Sequence, residues 1–166
     1  MTDIEKSAST SVLCALLADV ASALRGARDT VWALPDAPVL TADEGDLDAR
    51  IDAELRRLGL CATVMLADVS DAKASLPGPV FTSSGLVLEV CEASAINRDA
   101  GGTGVSALEA AEMAARALHQ RRLGSGRILY VTDMRPFPQP PAPADVCWHV
   151  LLKTGEVNLL SKQRIS

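Results

Sequence analysis

Four groups of residues have types and spacings that could do chemistry. Gly101-Gly102-Thr103-Gly104 stands where a strand pattern gives way to a helix pattern, so its backbone amides could cradle a phosphate or another anion at a helix N-terminus, with Arg98 nearby as a charged ligand. The stretch lacks the Lys-Ser or Lys-Thr that follows the glycines of a P-loop, and its spacing is not G-x-G-x-x-G. An interface-forming turn is the better reading, with Arg98 as a subunit contact, because interfaces favour arginine. Cys147 and His149 lie two apart on a strand pattern, so they share a face and could make a nucleophile and base. No motif supplies the carboxylate that would orient the histidine. Glu89 and Glu92 fall on opposite faces of a strand and cannot act as an acid/base pair. Asp43, Glu44, Asp46, Asp48 and Asp52 form an acidic run without EF-hand spacing, which reads as a solvated helix start.

Cys14, Cys61, Cys91 and Cys147 are scattered, without Cys-x-x-Cys, and the only histidines are His119 and His149. Neither a zinc site nor a disulfide framework is indicated. The expectation is a chain with no catalytic group, no metal and no cofactor.

Composition narrows the class. At 166 residues one domain with an ordinary core is expected. The chain is 48% hydrophobic but 3% aromatic, so Ala, Val and Leu must fill that core. A net charge of -5 disfavours binding to nucleic acid, which needs a basic face. The apolar run from Val12 to Ala18 is too short to span a bilayer, which takes about 20 residues. The first ten residues lack the basic start and apolar stretch of a secretory signal, and a cytoplasmic chain with a frayed tip is expected.

The elements that must position these residues follow from period and caps. Leu13, Leu16, Leu17, Val20 and Leu24 predict a first helix ending at Gly26; Leu47, Ile51, Leu55 and Leu58 predict a second, ending in the left-handed conformation at Gly59. Between them Pro35, Pro38 and Gly45 predict loop, with Val31, Trp32, Val39 and Leu40 as anchors or a short extended piece. CATVMLADV from Cys61 and VFTSSGLVLEVCE from Val80 read as strands, separated by Pro77-Gly78-Pro79, the second interrupted near Gly85. Ser106 and Glu109 form a capping box that starts a third helix, with Leu108, Ala111, Ala115 and Leu118 on its packing face. Gly124 and Gly126 are expected to close it and launch the strand RILYVTDM. After the proline-rich PFPQPPAPAD, the alternation of Val146, Trp148, Val150 and Leu152 predicts another strand, with Trp148 against the third helix. The fold class is α/β, a mostly antiparallel sheet of four to five strands packed against two to three helices in a single domain, 1–166. Residues 1–59 are its helical part, 60–155 its α/β core and 156–166 a tail.

One stretch resembles a known family. Glu92, then Ile96-Asn97-Arg98, Gly102-Thr103-Gly104 and an Ala-rich helix to Leu118 is similar to the tail-terminator or tail-completion proteins of tailed phages, and the likeness extends more loosely over Leu60 to Lys153. The sequence departs from the pattern in its Pro136 to Pro143 insert and in having Glu92-Ala93-Ser94 where related sequences begin the loop with Glu-Asn-Pro. The resemblance implies a non-catalytic virion protein, assembled in the host cytoplasm. It would form a ring of six copies at the tail-neck junction, with the tail tube protein and a head-neck connector as partners. Asn97, Arg98, Asp99, Gly102 and Thr103 would then be partner-binding residues. Another neck or head-closure ring protein, or a small-ligand or nucleotide module using Gly101–Gly104, are the alternatives.

Overall fold

Apolar residues one helical face apart create the first element, α1 (Val12–Arg25), which buries Val12, Leu16, Leu17, Val20, Ala21 and Leu24 and stops at Gly26. A 3-10 turn, Val31–Ala33, and the short strand β1 (Val39–Thr41) follow. The acidic run then starts α2 (Leu47–Leu58): Asp46 accepts a hydrogen bond from the Ala49 N–H, and Gly59 ends the helix at φ 74°, the left-handed cap that glycine adopts without a steric penalty. Exposed pairs, Arg50 with Glu44 and Arg56 with Asp52, occupy two more acids of that run, as expected for a solvated helix start.

The computed structural model describes residues 11–74, 80–155 and 157–158. The Pro77-Gly78-Pro79 break, the N-terminal tip and most of the C-terminal tail lie outside the described residues. Two long strands, β2 (Leu60–Ala74) and β3 (Val80–Glu92), form an antiparallel hairpin. A single helical turn, α3 (Ser94–Asn97), leads through the glycine-bearing loop into α4 (Ala107–Leu118). Strands β4 (Tyr130–Pro136), β5 (Val146–Lys153) and the two-residue β6 (Val157–Asn158) complete the order. The sheet runs β1-β2-β3-β5-β4 with β6 added to β3. Among the described residues only the β1–β2 pair is parallel, so the sheet is mostly antiparallel, as expected.

Helices cover both faces. Alternation sends Ala62, Val64, Leu86, Leu88, Val90, Val150 and Leu152 towards α1 and α4, and Cys61, Cys91 and Cys147 towards Ile51 and Leu55 of α2. Trp32, on the 3-10 turn, is fully buried in the first of these cores, and its indole Nε1 has no hydrogen-bond partner among the described residues. Trp148 packs half-buried against the same core.

Three expectations need correction. The buried stripe of α4 is Ala107, Ala110, Ala111, Ala114 and Leu118, while Leu108 is 39% exposed. The helix is rotated so that its smallest side chains meet the sheet, which lets the backbones approach closely. It also ends before Gly124 and Gly126: Gln120 adopts φ 59° and donates its N–H to the Leu129 carbonyl. The two glycines belong to a separate turn closed by the Arg122–Ile128 bridge, so the next strand begins at Tyr130.

The hairpin outruns its neighbours. β1 accompanies β2 only from Ala62 to Val64, and β5 leaves β3 at Gly85. Beyond a register shift between Leu66 and Asp68, the pairs from Val69 with Ser84 to Ala74 with Val80 form a two-stranded arm, joined only at Phe81 and Thr82 by β6 among the described residues. The shift falls opposite the Gly85 interruption, where a bulge bends and twists a ribbon.

Trp32→Ala is expected to cost about 3–5 kcal/mol in urea unfolding, and Trp148→Ala distinctly less. Equal losses at the two positions would contradict this placement of the core.

Candidate functional site

The glycine-bearing loop is built around one buried polar side chain. Asn97 is 1% exposed, and a buried amide must find partners for both its ends. Its Nδ2 donates to Glu92 Oε1 at 3.1 Å and to the Val105 carbonyl at 2.7 Å. Its Oδ1 accepts from the Thr103 N–H at 3.1 Å and the Thr103 hydroxyl at 2.5 Å. Glu92, 2% exposed at the end of β3, uses its other oxygen to accept the Ala107 N–H at 2.7 Å. A carboxylate buried there is stabilised by these donors and by the positive end of the α4 dipole. Glycine is required on both sides: a Cβ at Gly59 would lie 2.3 Å from the Asn97 amide nitrogen, and one at Gly102 would lie 2.2 Å from the Asn97 carbonyl oxygen.

This network decides what the predicted partner-binding residues present. Asn97 is buried, and Thr103 and Gly102 are half-buried and hold its side chain and backbone, whereas Arg98 and Asp99 are exposed. The loop is therefore braced from inside by Glu92, Asn97 and Thr103, with a charged Arg98-Asp99 tip outside. Ser94 adds a second brace, donating its N–H and hydroxyl to Asp145 at 2.8 and 2.9 Å. Burial pushes the Asp145 pKa up, but these two hydrogen bonds outweigh it and hold the carboxyl below its usual range.

The same network occupies the amides that an anion would need. Gly102 donates to the Asp99 carbonyl and Gly104 to the Asn97 carbonyl, Thr103 to Asn97 Oδ1 and Val105 to Thr103 Oγ1. At the α4 N-terminus the capping box takes the Ser106 and Glu109 N–H groups, and the hydrogen bond from the Ser106 backbone holds Glu109 below the ordinary carboxylate range. Glu92 takes the Ala107 N–H. A carboxylate of the chain itself thus sits where a phosphate would bind.

On the opposite face of the sheet, register assembles a second polar group. Cys61, Cys91 and Cys147 are directly opposed across β2, β3 and β5, and Thr63, Glu89 and His149 form the next row. Glu89 Oε2 lies 2.8 Å from His149 Nε2, with Phe137 stacked on the imidazole at a centroid distance of 4.4 Å. The carboxylate that no sequence motif supplied to His149 comes from the neighbouring strand. The hydrogen-bond partner of Cys147, however, is Cys91, at 3.2 Å between sulfurs. The shared hydrogen bond with Cys147, then burial, push the Cys91 thiol far up, and burial pushes Cys61 up to about 12. Such thiols are protonated at neutral pH and are poor nucleophiles. Glu89, Cys91 and Cys147 bring their ligand atoms within 4.8 Å of one another, so these are the described residues that could hold a metal ion.

Beside the loop opens a cleft of about 730 Å³ whose walls include Val31, Trp32, Leu34, Leu58, Val105 and Met113. Leu34 stands at its edge, 61% exposed. Neither the cleft nor the Glu92 network was readable from periodicity, because both join segments far apart in the chain.

Glu92→Gln leaves either the Ala107 N–H or the Asn97 amide facing an NH2 group, and is expected to lower stability by about 1–3 kcal/mol. Arg98→Ala should stay within about 0.5 kcal/mol of the wild type. Chemical denaturation of the two variants checks both, and an unshifted Glu92→Gln midpoint would show that the loop is not held from Glu92.

A scan against models of protein families finds no match to this chain, and a search of curated proteins finds none either.

Proposed function

We propose that this chain is a structural subunit of a phage-like tail, a non-catalytic protein of the terminator or completion kind. It closes into a ring, six copies by the family resemblance, at the head-proximal end of the tail tube. There it stops tube growth and offers its other side to a head-neck connector, so that it resides in the virion after assembly in the host cytoplasm.

The observation that carries this reading is the two-stranded arm. From Val69 with Ser84 outward the hairpin has only β6 as a further strand neighbour among the described residues. An isolated two-stranded ribbon is marginal in water, and its unpaired N–H and C=O groups are templates for another chain. Among the described residues β4 supplies a different edge at the far side of the sheet. A ring that closes head to tail needs two such non-identical patches on each copy, and strand addition to an exposed edge is a common way of joining them. The braced loop adds the exposed Arg98 and Asp99, and no described helix is long and apolar enough to cross a membrane. A negative net charge fits contacts with protein better than with nucleic acid.

Electron microscopy and light scattering of the purified protein mixed with tail tubes test the proposal. Rings seated at one end of the tubes are expected. A strict monomer that leaves the tubes bare would refute it. Arg98→Ala should weaken ring formation or tube binding by about 1 kcal/mol or more at an unchanged melting temperature; undiminished binding would take Arg98 out of the interface.

A further inference from the structure

The polar group on the α2 face has no part in the assembly surfaces, and its composition suits another purpose. Glu89, Cys91 and Cys147 are all buried, yet a buried carboxylate and two thiols add little to packing that alanine or valine could not supply. Their donor atoms, all within 4.8 Å of one another, come from two adjacent strands whose register is fixed along eight residue pairs. The rigid sheet therefore sets their separation. We propose that Glu89, Cys91 and Cys147 form a binding site for a thiophilic divalent metal ion, with Zn2+ as the occupant that matches the donor set, and that His149 is a positioning residue for the carboxylate.

Thiolate, imidazole and carboxylate donors select zinc-like ions over magnesium or calcium. Tetrahedral coordination with Zn–S bonds of about 2.3 Å places two sulfurs about 3.8 Å apart, so the Cys91 and Cys147 sulfurs, now at 3.2 Å, need to part only slightly. On binding, each sulfur gives its proton to solvent and bonds the ion, so two thiolates and the Glu89 carboxylate surround the divalent charge. His149 holds the carboxylate through its 2.8 Å hydrogen bond, and Phe137 stacks on that imidazole and limits its rotation. Ligand carboxylates held in this way by an outer partner are a regular feature of metal centres. Leu40, Ile51, Leu55 and Ala93 surround the cysteines with apolar groups, which shield the metal–sulfur bonds, while one water would complete the tetrahedron as the fourth ligand. Sequence spacing could not reveal the set, since Cys91 and Cys147 are 56 residues apart and meet only through strand register.

The test is a titration of the reduced, chelator-treated full chain with Co2+ alone, followed by visible absorption. The expected result is one equivalent per chain with the bands of tetrahedral thiolate coordination, displaced by Zn2+, and a melting temperature raised by either ion. Cys147→Ser and Glu89→Gln should each weaken binding at least about tenfold, and His149→Gln about 10- to 100-fold, while Cys14→Ser leaves it unchanged. Absence of those bands in the folded wild type would overturn the proposal, as would bands that persist at full affinity in Cys147→Ser. If Cys147→Ser fails to fold, the wild-type titration and Glu89→Gln, which keeps its volume and its hydrogen bond to His149, decide the matter.

Discussion

The constraint on which the loop and its helix depend is the buried carboxylate of Glu92. It stands at the last residue of β3 and bridges two groups that would otherwise be unpaired in the interior: the Asn97 amide and the Ala107 N–H at the start of α4. Burying an unpaired charge is prohibitive, but a carboxylate with two donors at a helix N-terminus is well compensated. Because its donors come from both ends of the loop, satisfying it fixes the loop's path and the starting point of α4 together. The alanine face of α4 then meets the sheet, and Arg98 and Asp99 are left outside.

Local features were legible in the sequence. The Ser106–Glu109 capping box, the left-handed Gly59 and the strand Val80–Glu92 each depend on neighbouring residues, as does the first part of β2, which runs on to Ala74 past the end of its apolar run at Val69; the resemblance singled out Glu92 and Asn97. What depends on distant pairing was not legible. Leu108 fits a helical stripe as well as Ala107 or Ala110 does, and only the hydrogen bond from Ala107 to Glu92 shows which stripe faces inward. Glu89 and His149 lie 60 residues apart, so no period could bring them together. Asn97 and Thr103 looked like surface loop residues, since a short polar side chain reads the same whether it faces a partner or its own backbone. The overhang of the hairpin depends on where β1 and β5 stop, which no reading of β2 and β3 alone can tell.

The two faces of the sheet divide the work. Towards α1 and α4 the packing is close and apolar, and the loop that opens on that side is held rigid from within. Towards α2 the cysteines and the Glu89–His149 pair form an enclosed polar group in which burial of Cys61 and, for Cys91, the hydrogen bond shared with Cys147 and then burial push these two thiols up and away from nucleophilic use. Among the described residues the arm has a further strand neighbour only at β6, β4 ends the sheet on one side, and the charged loop tip is exposed; strand edges are satisfied by other strands. That distribution suits a subunit whose function is contact with other chains.

Hydrogen exchange measured on the free chain and again on the chain assembled with tail tubes tests this division most directly. The Thr103 and Ala107 amides should be protected in both states, and those of 69–74 and 80–84 should exchange quickly in the free chain and slow on assembly. Arm amides already as protected in the free chain as those of the inner hairpin, and unchanged on assembly, would contradict it.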